Sequence, residues 1–128
     1  MKVLIIEEEE IVLNLLSKKL LEQGYEVKTA RNGEDGMIIA KKEIPNVVLV
    51  DVNVAPKDGF TVIAEIKKNE LLCNVPIIII FNSNQPLEIK KAKELGFEDW
   101  VFKTEFNLQE IIQKIKQVLM KTSPQGEV

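Results

Sequence analysis

The sequence predicts an α/β domain built on an open parallel sheet, and three observations carry that expectation. Five short runs rich in β-branched residues recur along the chain, each followed by a segment with helical spacing or turn residues, so the order reads βαβαβαβαβα. Three of these runs are apolar throughout, as parallel strands covered by helices on both faces are. The length of 128 residues accommodates one such domain and leaves no room for two independent cores.

The first strand is Val3-Leu4-Ile5-Ile6. Ile11, Val12, Leu15, Leu16 and Leu20 then form an apolar helical stripe that stops at Gly24, a C-terminal cap. The run from Tyr25 to Ala30 alternates polar and apolar, as a strand with one partly wet side does. Asn32-Gly33 marks a turn into a helix around Met37 to Lys42, which Pro45 prevents from continuing. Val47-Val48-Leu49-Val50 is the third strand. Asp58-Gly59 precedes a helix carrying Val62, Ile63 and Ile66, and Pro76 stands at the entry to the fourth strand, Ile77 to Phe81. Pro86 opens a fourth helix that ends at Leu95-Gly96, and Trp100-Val101-Phe102 is the fifth strand. In the last helix Leu108, Ile111, Ile112, Ile115, Val118 and Leu119 share one face. The domain is expected over residues 1–121, with the polar, breaker-rich 122–128 as a flexible tail or the start of a linker.

Composition excludes several function classes. Hydrophobic residues make up 45% and charged residues 29%, a globular balance rather than a disordered one. With 17 Lys and Arg against 20 Asp and Glu the net charge is −3, without the basic excess needed to hold a phosphate backbone, so no direct nucleic-acid contact is expected. The absence of histidine removes Ser/His and Cys/His catalysis and every His-containing zinc site. The lone Cys73 cannot form an internal disulfide or a cysteine metal cluster, which suits a reducing compartment. Four apolar residues, Val3 to Ile6, followed by Glu7-Glu8-Glu9-Glu10 make neither a signal peptide nor a membrane span, and a cytoplasmic location without membrane contact is expected.

Open parallel sheets place their sites at the carboxyl ends of the strands, near the topological switch point. Here the first strand ends in four glutamates, the third in Asp51, the fourth in Phe81-Asn82-Ser83 and the fifth in Lys103. Clustered carboxylates repel unless a cation neutralises them, and an all-oxygen set suits Mg²⁺, with Glu7, Glu8, Asp51 and the main-chain carbonyl of Asn53 as ligands. Glu9 and Glu10 are assigned instead to the first turn of the first helix, where negative charge complements the dipole. An ionised Asp ending a buried apolar strand needs a cation or several hydrogen bonds, which singles out Asp51 as a phosphoryl-accepting nucleophile. Lys103 would pair first with Asp51 and then with the phosphoryl oxygen.

Several motifs occur together and in order: Lys2-Val-Leu-Ile-Ile6 running into acids, Asp51-x-Asn53 followed by a Pro and by Asp58-Gly59, Val75-Pro76 before the fourth strand, and Trp100-Val-Phe-Lys103. In these the chain resembles the receiver domain of bacterial response regulators, from residue 2 to about residue 120. The resemblance implies a flavodoxin-like (βα)5 doubly wound sheet with five parallel strands in order 2-1-3-4-5. It also implies phosphorylation of Asp51 by a partner histidine kinase, and a surface of fourth helix, fifth strand and fifth helix that changes on phosphorylation and modulates a downstream protein. Such a module is a signalling switch rather than an enzyme with an external substrate, and is expected as a monomer or weak dimer.

Departures from the family pattern fall at the site. Glu7 and Glu8 replace a pair usually led by Asp, each carboxylate reaching about 1.5 Å further. Phe81 stands at the switch position, where a Ser or Thr hydroxyl ordinarily binds the phosphoryl oxygen; losing such a bond costs about 1.5 to 3 kcal/mol. Asn82 occupies a position that is usually small, Thr104 replaces the Pro after the lysine, and Pro56 stands one place late. A bulky Phe81 would also fill the space into which the aromatic at Trp100 moves, holding Trp100 in one rotamer. The alternative function is therefore a phosphorylation-independent pseudo-receiver, a binding module using the same surface. A haloacid-dehalogenase-like phosphatase is disfavoured because Asn53 cannot replace the second acid, and neither Gly-x-x-x-x-Gly-Lys-Ser/Thr nor Gly-x-Gly-x-x-Gly occurs.

Overall fold

A computed structural model describes residues 1–53, 59–81, 86–97, 99–102 and 108–122. The elements are β1 (Lys2–Ile6), α1 (Glu10–Glu22), β2 (Glu26–Ala30), α2 (Gly33–Glu43), β3 (Val47–Asp51), α3 (Gly59–Lys68), β4 (Ile77–Phe81), α4 (Pro86–Glu94), β5 (Trp100–Phe102) and α5 (Leu108–Thr122). The strands form one parallel sheet in the order β2-β1-β3-β4-β5, as the flavodoxin-like resemblance implies.

Strand alternation divides the core in two. Val3, Ile5, Val47, Leu49, Ile78 and Ile80 pack with Leu13, Leu16 and Leu20 of α1 and with Ile111, Ile112, Ile115, Val118 and Leu119 of α5. Leu4, Ile6, Val48, Val50, Ile77, Ile79 and Phe81 face the other way, against Met37 and Ala40 of α2, Val62, Ile63 and Ile66 of α3 and Ala92 of α4. Every residue of β3 and β4 is buried, so burial on both faces accounts for their uninterrupted apolar runs.

Three element boundaries differ from the sequence expectation. The inward stripe of α1 is Leu13, Leu16 and Leu20, whereas Ile11 is 76% and Leu15 48% exposed. At 100° per residue these two fall on the side of the helix away from Leu13, and of the expected group Val12, Leu16 and Leu20 keep their core contacts. Tyr25 belongs to the end of α1 rather than to β2: its N–H donates to the Leu20 carbonyl (3.1 Å), closing the turn around Gly24 at φ +91°. Helix α2 begins four residues earlier than Met37 because Asn32 caps it, its Oδ1 accepting the Asp35 N–H (2.8 Å) while its amide donates to the Asp35 carboxylate (3.0 Å). The expected stop at Leu95-Gly96 is present, with Gly96 at φ +88° and the Phe97 N–H on the Ala92 carbonyl. Helix α5 reaches Thr122. Among the described residues no helix is long and apolar enough to cross a membrane.

Candidate phosphoryl-acceptor site

Strands β1 and β3 are neighbours, paired Ile5 to Leu49 and Ile6 to Val50, so the next residues along, Glu7 and Asp51, leave the sheet at the same level. Both are buried, at 0% and 1% exposure, and they are the buried charged residues among those described. Local backbone geometry turns each carboxylate toward its own chain. The Glu9 N–H donates to Glu7 Oε2 (2.8 Å), and the Asn53 N–H donates to Asp51 Oδ1 (2.9 Å). Such bonds stabilise a carboxylate at a strand end, and they leave Asn53 exposed immediately beyond Asp51.

Glu8 behaves differently from Glu7. Its side chain is exposed, and its carbonyl accepts two bonds from the Arg31 guanidinium, at 3.2 Å from Nε and 3.0 Å from Nη2. Arg31 also lies 3.9 Å from Glu10, so one side chain straps the β1–α1 loop to the end of β2. The first-turn position expected for Glu10 is observed, and Glu9 is the residue preceding the helix. Among the described residues no three carboxylate or thiol side chains stand close enough to share a cation.

The end of β3 is held from behind by Gly59. Its N–H donates to the Val52 carbonyl (2.9 Å), and a Cβ at this position would stand 2.5 Å from the Asp51 carbonyl oxygen and 2.6 Å from Val52 Cα. Both atoms are backbone, so only glycine allows α3 to start this close to β3. Arg31 was not legible as a site residue in the sequence, and Gly59 stood there only as part of the Asp58-Gly59 step. Their only sequence signals are an isolated arginine just after a strand and a glycine just before a helix.

On the other side of Asp51, whose Cα partner is Ile80, the next residue of β4 is Phe81. Phe81 is fully buried, edge-on to Trp100 (centroids 6.1 Å apart, 73° between planes) and tilted against Phe102 (6.0 Å, 33°). Trp100 is half-buried. Lys103, Asn82 and Thr104 lie outside the described residues, as do Pro56, Asp58 and Ser83.

A family model described as the response regulator receiver domain matches residues 3–116. Over 120 residues the chain is 34% identical to a probable transcriptional regulator ycf27 of Porphyra purpurea, covering 94% of this chain and 48% of that protein. It is 28% identical to the alkaline phosphatase synthesis transcriptional regulatory protein PhoP of Bacillus subtilis, covering 94% and 49% respectively. The chain thus spans about half the length of the curated relatives it matches. Among solved structures it is similar to the chemotaxis response regulator CheY4 of Vibrio cholerae, with TM-score 0.83, 26% identity and coverage of 91% of this chain and 97% of that one. It is also similar to a response regulator of Chloroflexus aurantiacus, with TM-score 0.85, 26% identity and coverage of 92% and 96%.

Proposed function

The chain belongs to the response regulator receiver domain family, and from that premise we propose that Asp51 is phosphorylated by a partner histidine kinase and that the product state modulates a protein partner through α4, β5 and α5. The observation that carries this proposal is the burial of Asp51 at the end of an apolar central strand, level with the buried Glu7. A carboxylate oxygen of Asp51 attacks phosphorus, the nitrogen–phosphorus bond of the donor phosphohistidine breaks, and its electron pair leaves with the imidazole. Lys103, which follows Phe102 directly in the sequence, would take its charge to Asp51 and then to a phosphoryl oxygen.

Receiver domains generally bind Mg²⁺ at the phosphorylation site. The donors here fit a hard cation: two buried carboxylates, Glu7 and Asp51, together with the main-chain carbonyl of the exposed Asn53, form an all-oxygen set. Glu8, exposed on the same loop, would contribute through the solvent side. When bound, Mg²⁺ supplies charge that screens the approach of two anions. Receiver domains are signalling modules rather than classical enzymes, and the output proposed here is protein binding.

Phe81 favours a second reading, a phosphorylation-independent pseudo-receiver. A ring packed against both Trp100 and Phe102 occupies the switch position without a hydroxyl to offer a phosphoryl oxygen. Amide and indole NMR spectra with Mg²⁺, before and after addition of beryllofluoride, separate the two. Shifts at Asp51 that reach the Trp100 indole, abolished by Asp51→Asn, support a working switch. Shifts confined to the neighbours of Asp51 mean binding uncoupled from output. No shifts at all, with Mg²⁺ unbound, overturn phosphorylation and leave the binding module.

A further inference from the structure

Between the last turns of α3 and the segment joining α4 to β5 runs a groove of about 460 Å³. Its floor is apolar, made by Phe60, Ile63 and Ala64 of α3 and by Leu95 and Phe97 beyond α4; Leu95 is 57% exposed there. Lys67 and Lys68 stand on its rim, and no carboxylate lines it among the described residues. A smaller depression of about 340 Å³, bordered by Lys93, Phe97 and Trp100, continues the strip.

The lysines of this face are held over rings. Lys91 Nζ lies 4.6 Å from the Phe60 centroid, Lys67 Nζ 5.6 Å from that of Phe97, and Lys93 Nζ 5.9 Å from that of Trp100. A ring quadrupole attracts an ammonium without cancelling its charge. Among the described residues the ion pairs involve Lys2, Lys28, Arg31, Lys114 and Lys121, and none involves Lys67, Lys68, Lys91 or Lys93. In a chain of net charge −3, this strip therefore concentrates positive charge around exposed apolar surface.

We propose that this α3–α4 groove docks an acidic segment of a partner protein that carries an apolar anchor. The carboxylates of that segment meet Lys67 and Lys68 on the rim and Lys93 in the adjoining depression, and the anchor enters between Phe60 and Phe97. Charge complementarity selects the occupant: a basic or neutral apolar segment would leave the charges of Lys67, Lys68 and Lys93 uncompensated as water is displaced. The groove is lined by α3 and by the residues that follow α4, and its test is carried out without phosphorylation of Asp51, so its outcome can be told apart from that of the function proposed above.

The test uses the full chain and a fluorescent synthetic peptide, amphipathic, with glutamates on one helical face and leucines on the other. Fluorescence anisotropy is expected to show saturable, salt-sensitive binding with a dissociation constant on the order of 10 to 100 μM. The paired substitution Lys67→Glu with Lys68→Glu is expected to weaken it about tenfold or more, and Ala64→Trp, at an exposed position facing the groove, to do the same by filling it. Thermal unfolding checks that each variant is folded, and whichever folds suffices. Peptides with lysines for glutamates, or alanines for leucines, are expected not to bind. Absence of binding, binding indifferent to the folded variants, or amide shifts that map to another face would overturn the proposal. So would sedimentation showing that a second copy of the chain already occupies the groove.

Discussion

Two corners meet at the carboxyl edge of the sheet, and they are built on different chemistry. At β1 and β3 the chain buries two carboxylates and spends backbone N–H groups on them, a costly arrangement that apolar residues would avoid. At β4 and β5, a residue away, it buries the Phe81 ring against the half-buried rings of Trp100 and Phe102, which stabilise by packing alone. The polar corner holds two carboxylates level with each other, while the aromatic corner has the composition of ordinary core. Under the function proposed above, accepting a phosphoryl group and responding to it are separable properties, the first assigned to the polar corner and the second to the aromatic one.

The largest effect is expected from converting the aromatic corner into a polar one. Phe81→Thr removes a fully buried ring and should cost about 3 to 5 kcal/mol in urea unfolding, by analogy with Phe→Ala in cores. If the ring is what holds Trp100, the same variant should gain a change in Trp100 fluorescence on adding Mg²⁺ and beryllofluoride. A variant that loses stability yet shows no such change would mean that Phe81 is core only.

An intermediate effect is expected where the polar corner depends on backbone fit. Gly59→Ala places a methyl against the Asp51 carbonyl and Val52 Cα, so β3 or the start of α3 must shift. A loss of about 1 to 3 kcal/mol is expected, with amide shifts concentrated at residues 51–53 and weaker beryllofluoride binding. Unchanged shifts there would show that the close approach does not position Asp51.

The smallest effect belongs to the opposite, amino-terminal edge, where charge is not buried. Lys2 Nζ meets the Glu43 carboxylate at 2.7 Å, and that hydrogen bond holds the Glu43 carboxyl below its ordinary 4.5 and raises Lys2 above its ordinary 10.5. The Glu43 contribution to stability is present above its unfolded value and is lost as pH falls through its lowered value. The Lys2 contribution is present below 10.5 and disappears as pH rises through the raised value. Lys2→Met should return the NMR titration of Glu43 to the ordinary carboxylate range with little change in unfolding. A large stability loss would place this half-buried pair in the same class as the buried carboxylates.

The strands were legible in the sequence because burial on both faces demands continuous apolar residues, and Gly24 and Gly96 were legible because a helix end in left-handed geometry favours glycine. The phase of α1 was not. Ile11, Val12, Leu13, Leu15 and Leu16 offer overlapping apolar stripes, and only packing against Val3, Ile5 and α5 selects Leu13, Leu16 and Leu20. At the site, Asp51 and Glu7 announce themselves as acids ending apolar runs. The bond from Arg31 to the Glu8 carbonyl, by contrast, joins residues 23 apart in sequence through strand pairing.

By itself, then, the sequence determined the kind of each element, the parallel layering and the acidic strand ends, because these follow from local periodicity and from the burial each residue type tolerates. Tertiary structure alone decided which glutamate turns inward, how closely Gly59 approaches Asp51, that Phe81 packs between Trp100 and Phe102, and that lysines of α3 and α4 gather over aromatic rings. Those outcomes depend on distances between segments remote in the chain, which are set only when the sheet register and the helix docking close together.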